Sequence, residues 1–284
     1  MMEIGARLER LELSASDPHA LAQFYARTFQ MQVSAGEDGR VICHAPGRTL
    51  IFHQGAGGQG GQLRRAVFRF ATQADFERQR QRLAVCEPAL LLDNTASGVT
   101  VQDLQSHQFS FLPPNNADAD EDKTDEGEET TTTQARLQHF ALQTPEPARL
   151  AAFCTDVLGL VVSDRVLDDA GNLTAIFMRS DAEHHSLALF RAPATRFDHF
   201  SCEVPSWLAL RDWADHMASV GVDLAWGVGR HGPGNDTFLM VRDADGNMGE
   251  ISAEMEVCAA DRPAGVWSHR PQTLNQWGVA IMRS

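Results

Sequence analysis

The chain has 284 residues, 43% of them in the AVILMFWYC set, enough to bury a core for one large domain or two ordinary ones. Its formal net charge is −14 at pH 7 and no run of basic residues offsets it, which excludes a protein that grips a nucleic-acid backbone. No apolar stretch approaches the ~18 residues of a membrane span, and Glu3, Arg7, Glu9 and Arg10 stand where a secretory leader would be apolar, so the expected location is cytoplasmic with no membrane partner.

A strand is predicted over about residues 7–14, followed by Asp17-Pro18, an acidic N-cap with proline at the first helical position, opening an amphipathic helix. Three strand-like runs follow, then a second block of strand, helix and strands. The stretch from Pro113 to Gln134 carries no large apolar side chain and sets eight acidic residues against Lys123, a net of −7, so it reads as a solvated, flexible linker. Beyond it the chain repeats itself. Arg7-Leu-Glu-Arg-Leu-Glu-Leu13 and Asp17 to Phe24 align without a gap to Arg136-Leu-Gln-His-Phe-Ala-Leu142 and Glu146 to Phe153, and Val33-Ser34 to Val162-Ser163, at a constant offset of 129 residues. A strand is expected over 136–143, with Glu146-Pro147 as the second acidic cap. Later, Trp207, Leu210, Trp213 or Ala214, and Met217 recur at helical spacing before Gly221 closes the helix.

The pattern β-α-β-β-β, twice per half, describes an α+β fold: tandem βαβββ modules forming two barrel-like domains of mostly antiparallel, curved sheets. The expected division is 1–112, an N-terminal domain without metal ligands; 113–134, the acidic linker; and 135–284, a C-terminal catalytic domain with its tail. Cys43, Cys86, Cys154, Cys202 and Cys258 are odd in number and form no C-x-x-C pair, so they read as buried thiols in a reducing compartment.

Three residues of the second half carry chemistry. His139 in RLQHFAL, His199 in RFDHFSCEV and Glu250 in DGNMGEIS each sit mid-strand, and alternation turns the following Phe140, Phe200 and Ile251 to the opposite, apolar face. All three can then point into one concave surface. Two imidazoles and a carboxylate bind a metal while leaving positions open, an arrangement that favours non-haem Fe(II). At the equivalent first-half positions stand Arg10, Val67 and Ser110, which make no such set.

The module layout, the order His139, His199, Glu250 and the motifs EHHSLALF (183–190), GRHGPGND (229–236) and Asp243 to Glu250 resemble the type I extradiol dioxygenases of the vicinal oxygen chelate (glyoxalase/bleomycin-resistance) superfamily. The resemblance covers about residues 6–112 and 135–278. It implies ring cleavage of a catechol, substituted or bicyclic, beside its diol, with O2 as co-substrate and Fe(II) as cofactor, Mn(II) being the alternative, in a homo-oligomer. It also implies an acid/base role for His185, a substrate contact from His231, and Asn235, Asp236, Thr237 and Met240 as substrate-binding residues. His184 is expected to face solvent, because strand alternation aims it away from His185. The tail from Val266 to Gly278 resembles a segment that packs over the catalytic module, and an oligomer contact is an equal reading. One departure is clear. The family usually carries a tyrosine ten residues before the glutamate, and this chain has Met240 there. A thioether cannot donate a hydrogen bond, so Thr237 or Asn235 is a candidate substitute. The departure also leaves open a metal-dependent lyase or isomerase, a hydroquinone-cleaving relative, and a non-enzymatic binder of aromatic ligands.

Overall fold

A computed structural model describes residues 3–85, 90–115 and 134–282. The first half runs β1 (Ala6–Ala15), α1 (Pro18–Thr28), β2 (Gln32–Ala35), β3 (Val41–Ala45), β4 (Arg48–Gln54), β5 (Gln62–Phe70), α2 (Gln73–Ala84), β6 (Leu91–Thr95), β7 (Gly98–Gln102) and β8 (Gln108–Leu112). The second runs β9 (Arg136–Thr144), α3 (Pro147–Phe153), β10 (Val161–Leu167), β11 (Leu173–Arg179), β12 (Leu187–Arg191), β13 (Arg196–Glu203), α4 (Trp207–Ser219), β14 (Trp226–Arg230), β15 (Thr237–Arg242), β16 (Met248–Ala253), β17 (Gly265–Ser268) and α5 (Pro271–Leu274).

The repeat reappears as topology. The first sheet is ordered β2-β3-β4-β1-β5-β8-β7-β6, and the second β14-β15-β16-β13-β9-β12-β11-β10-β17. Read backwards and without β17, the second order is the first with each strand replaced by its repeat. Within every βαβββ unit the first and last strands pair in parallel, β1 with β4, β5 with β8, β9 with β12 and β13 with β16, while the rest of each unit is antiparallel. Among the described residues both sheets are open, with β2 and β6 ending one and β14 and β17 the other, so the expected barrels are curved sheets that do not close.

Helices α1 to α4 cover one face of both sheets, and one apolar cluster runs through the two halves. Phe29 and Tyr25 of α1 meet Phe200 of β13 at ring separations of 5.1 and 5.2 Å, and Phe29 reaches Trp213 of α4 at 6.2 Å. Asp17 caps α1 as expected, its carboxylate accepting from the Ala20 N–H. Glu146 does not cap α3: its side chain turns to Arg149 instead, and its own N–H donates to Thr144 Oγ1. On α4, Leu210, Trp213 and Met217 are buried while Trp207 is 38% exposed and packs against Trp277. Cys43, Cys154, Cys202 and Cys258 are free and buried; Cys86 lies outside the described residues, as does the acidic stretch apart from its edges.

Tyr25, the only tyrosine of the chain, fastens one half to the other. Its hydroxyl donates to Asp243 Oδ2 at 2.9 Å, in the turn between β15 and β16, and both groups are buried. Removing that donor leaves a desolvated carboxylate with only Asn247 to satisfy it. Tyr25→Phe should therefore lower the unfolding free energy by about 1–3 kcal/mol in denaturant titration, and an unchanged midpoint would mean that the bond contributes nothing.

Candidate metal centre and cavity

Strands β16, β13 and β9 are neighbours in the second sheet, and each delivers one polar side chain to the face opposite the helices. Along β9, Phe140 and Leu142 join the helix-covered core while His139 and Ala141 face the concave side. On β16, Gly249 and Ile251 face the helices and Glu250 does not. A bulge in β13 between Phe197 and His199 lets both Phe197 and Phe200 enter the core and re-aims His199 to the concave side.

The three groups converge. Glu250 Oε2 lies 3.3 Å from His139 Nε2 and 3.5 Å from His199 Nε2. The set fits a cation, since one ligand atom from each residue lies within 4.8 Å of the other two. Glu250 is 0% exposed and neither of its oxygens accepts a hydrogen bond from the protein. A carboxylate so desolvated requires a compensating positive charge. Burial alone raises its pKa, but the facing imidazoles of His139, His231 and His199 reverse this and hold the group ionised, well below the usual carboxylate range. Burial lowers the pKa of His139 against the opposing pull of Glu250, which keeps the ring in its neutral, ligating form. The other nitrogen of His199 is fixed by Asp198, Nδ1 to Oδ1 at 2.6 Å, and Asp198 is held in turn by Gln143.

Over this cluster sits a narrow cavity of about 20 Å³ whose polar lining is His139, His185, His199, His231 and Thr273, and whose walls include Phe177, Phe190, Trp226, Met240 and Leu274. His185 stacks obliquely at 4.2 Å from His139, and burial followed by the neighbouring His139 pushes its pKa well below the ordinary histidine value. His184 and His185 precede β12 rather than lying within it, so strand alternation does not apply to them. Consequently His184 is fully buried rather than solvent-facing, 3.1 Å from Asp164 Oδ2 through Nε2 and 3.1 Å from His185 Nδ1 through Nδ1.

His231 lies flat on Phe238 at 3.9 Å, its Nδ1 2.6 Å from the Leu274 carbonyl and its Nε2 3.6 Å from Glu250 Oε1. Burial lowers its pKa, but Asp236 and Glu250 more than restore it, and the net direction is up. Asp236 is buried beside His231 and Glu250 with both oxygens unpartnered, and burial raises its pKa. Of the four residues expected to touch substrate, Met240 lines the cavity and Asn235, Asp236 and Thr237 do not. Thr237 shares the parity of Leu239 and Val241, whose side chains face the helices, and its hydroxyl bonds the Ala253 carbonyl. Asn235 is exposed at a positive φ of 57°. Neither side chain lines the cavity wall that Met240 helps to form. In the first sheet Arg10 pairs with Val67 and Val67 with Ser110, so the same three strands there offer no ligand set.

The aromatic walls escaped sequence reasoning, although the parity of Phe177 against Ile176 and of Phe190 against Leu189 carried the signal. The pairing of Asp164 with His184 bridges twenty residues of chain and left none.

Residues 136–251 match the family described as Glyoxalase/Bleomycin resistance protein/Dioxygenase superfamily. Metapyrocatechase 2 of Cupriavidus necator is 37% identical over 148 residues, 51% of this chain and 45% of that protein. The chain thus matches less than half the length of metapyrocatechase 2, and 38% of the metapyrocatechase of Pseudomonas sp. (strain CF600). In structure, the Mn(II)-bound glyoxalase from Novosphingobium aromaticivorans superposes with a TM-score of 0.75 at 20% identity, covering 99% of this chain and 93% of that one. The complex of homoprotocatechuate 2,3-dioxygenase from Brevibacterium fuscum with 3,4-dihydroxyphenylacetate superposes with a TM-score of 0.73 at 20% identity, covering 97% and 89%.

Gly249 lets β16 press its backbone against α1, since a Cβ there would stand 2.8 Å from the Phe29 ring. Gly249→Ala should destabilise the protein by about 1–3 kcal/mol through overpacking, read by thermal unfolding, and an unaltered transition would show that Phe29 has room to retreat.

Proposed function

We propose, from the match of residues 136–251 to the family described as Glyoxalase/Bleomycin resistance protein/Dioxygenase superfamily, that this chain is an extradiol ring-cleaving dioxygenase acting on a catechol. The observation that carries this reading is the buried, donor-free Glu250 carboxylate facing His139 and His199 under a cavity of histidines and aromatic walls. The likeness to metapyrocatechase 2 supports it. His139, His199 and Glu250 would hold the metal, with Fe(II) as the assigned ion and Mn(II) as the alternative, the latter favoured by the Mn(II)-bound relative in structure. The bound metal would supply adjacent positions for the diol oxygens and O2 and a path for electrons between them.

The chain's own groups do the rest. Phe177, Phe190, Trp226 and Leu274 stack against a planar ring and exclude water. His185 takes a diol proton: its Nδ1 is occupied by His184, so Nε2 remains for substrate. His231, anchored at Nδ1 by the Leu274 carbonyl, presents Nε2 to the same space. Residues 1–112 serve as a scaffold domain without ligands, joined through 113–134 to the catalytic domain 135–284. A second reading, a metal-dependent lyase or isomerase, is favoured by Met240 in the cavity wall and by the fold shared with a glyoxalase.

O2 consumption separates the two. Protein reconstituted anaerobically with Fe(II) and given a panel of catechols should take up one O2 per ring cleaved, with a yellow product appearing in step. His199→Ala should lose both the metal, measured by elemental analysis, and the activity. His185→Phe should retain the metal and turn over at least ~100-fold more slowly. Turnover of a substrate without O2 would establish the lyase or isomerase instead.

A further inference from the structure

The sequence contains no basic run, yet folding gathers arginines into a basin on the concave face of the first sheet. Alternation along β1 puts Arg10, Glu12 and Ser14 on that face. The register sets Glu12 opposite Arg65 on β5 and Arg65 beside Gln108 on β8, while His53 comes alongside Ser14 from β4. Together with Arg40 and Arg64 these residues, Arg10 excepted, line a cavity holding about 1000 Å³ of open space. Arg10, at its margin, is the repeat counterpart of His139, so the basin stands where the histidine cavity stands in the second sheet.

Of the four guanidinium groups, those of Arg10 and Arg65 face one carboxylate, Glu12, whose Oε2 lies 3.2 Å from His53 Nε2. Glu12 Oε1 lies 3.5 Å from Arg10 Nε and 3.8 Å from the Arg65 terminal nitrogen, both longer than a good hydrogen bond. Arg65 spends two donors on the Gln108 side-chain oxygen, at 3.0 and 2.6 Å. The Nε groups of Arg10 and Arg40 are buried and make no hydrogen bond, that of Arg10 having only Glu12 at 3.5 Å. His53 adds no charge, because burial, and after it Arg64, lower its pKa. Set against Glu12, the four arginines, Arg64 exposed and the others half-buried, leave three positive charges in excess in a protein of net charge −14, carried by forks that donate and never accept. Buried donors left unmade are costly, and an anion in the basin would satisfy them.

We propose that this basin binds a small organic dianion through Arg10, Arg40, Arg64 and Arg65, at a site separate from the cavity over Glu250. A monoanion would leave most of the excess charge in place. Carboxylate and phosphate both match the fork of a guanidinium, and the acidic remainder of the chain repels a nucleic-acid backbone.

Calorimetric titration of the full-length protein at constant ionic strength tests this, with malonate and inorganic phosphate as dianions and acetate as the monoanion. Saturable binding of one dianion per chain is expected, with acetate at least ~10-fold weaker. The preference between malonate and phosphate identifies the charged group. Arg40→Gln combined with Arg64→Gln should weaken binding about tenfold or more for each guanidinium removed, and Arg10→Gln provides an independent variant should the double one unfold. Arg78→Gln, on the exposed surface of α2, should change nothing. Absence of saturable heat with both dianions, or an affinity that survives the double substitution in folded protein, would overturn the proposal.

Discussion

The two-residue period of the β-strand, imposed on a sheet whose core is covered by long helices on one face, governs the rest of the molecule. Strands of the second sheet meet the core largely with alternate residues, interrupted by the bulges of β13, leaving the intervening ones committed to the concave side. Phe140, Phe200 and Ile251 are driven inward by apolar burial, and the positions of His139 and Glu250 follow from alternation, that of His199 from alternation together with the bulge before it. The hydrophobic side of the sheet thus aims the polar side. A one-residue slip would put three polar groups into the core and three large apolar groups into the cavity, so register at the site is secured by the whole of the core.

The duplication shows how little of a site belongs to the fold. Both sheets share one strand order and the same parallel closure of each βαβββ unit, and both present a concave face. Their chemistry differs because the inward residues are held by packing while the concave ones are free to vary. One basin carries Glu250 among imidazoles, and the other carries Glu12 among guanidiniums. A buried carboxylate is the common element. In the second half its neighbours can ligate a cation, and in the first its neighbours are the cations.

The repeat, the element types and the convergence of His139, His199 and Glu250 were legible in the sequence because each depends on periodicity, which is local. What was not legible depended on where strands begin or on contacts across the chain. His184 was assigned to solvent on the assumption that β12 already included it, and the strand starts at Leu187. Glu146 has the sequence of a cap, but the Thr144 hydroxyl and Arg149 compete for its polar groups and its carboxylate leaves the helix terminus uncapped. Asn235 and Thr237 lie close in sequence to Met240, but the first falls in an exposed turn and the second on the opposite parity. The arginine basin draws on β1, β4, β5 and a loop, so charge counted along the chain never reveals it.

The end of the described chain shows the same dependence on distant contacts from the side of the cavity. β17 adds to the edge of the second sheet beside β10, and Asp164 there accepts from the Trp267 indole at 2.7 Å, the Gly265 N–H at 3.0 Å and Arg262 at 3.0 Å while facing His184. Farther on, Leu274 offers its side chain to the cavity wall and its carbonyl to His231, and the Val279 carbonyl holds the Trp226 indole in place. Two of the four cavity histidines, His185 through His184 and His231 directly, are therefore oriented by contacts that lead into residues 262–279. The other two are set by strands of the sheet itself. Cavity shape is in this way divided between a rigid floor, which carries the candidate ligands, and a wall whose polar groups depend on the tail being docked.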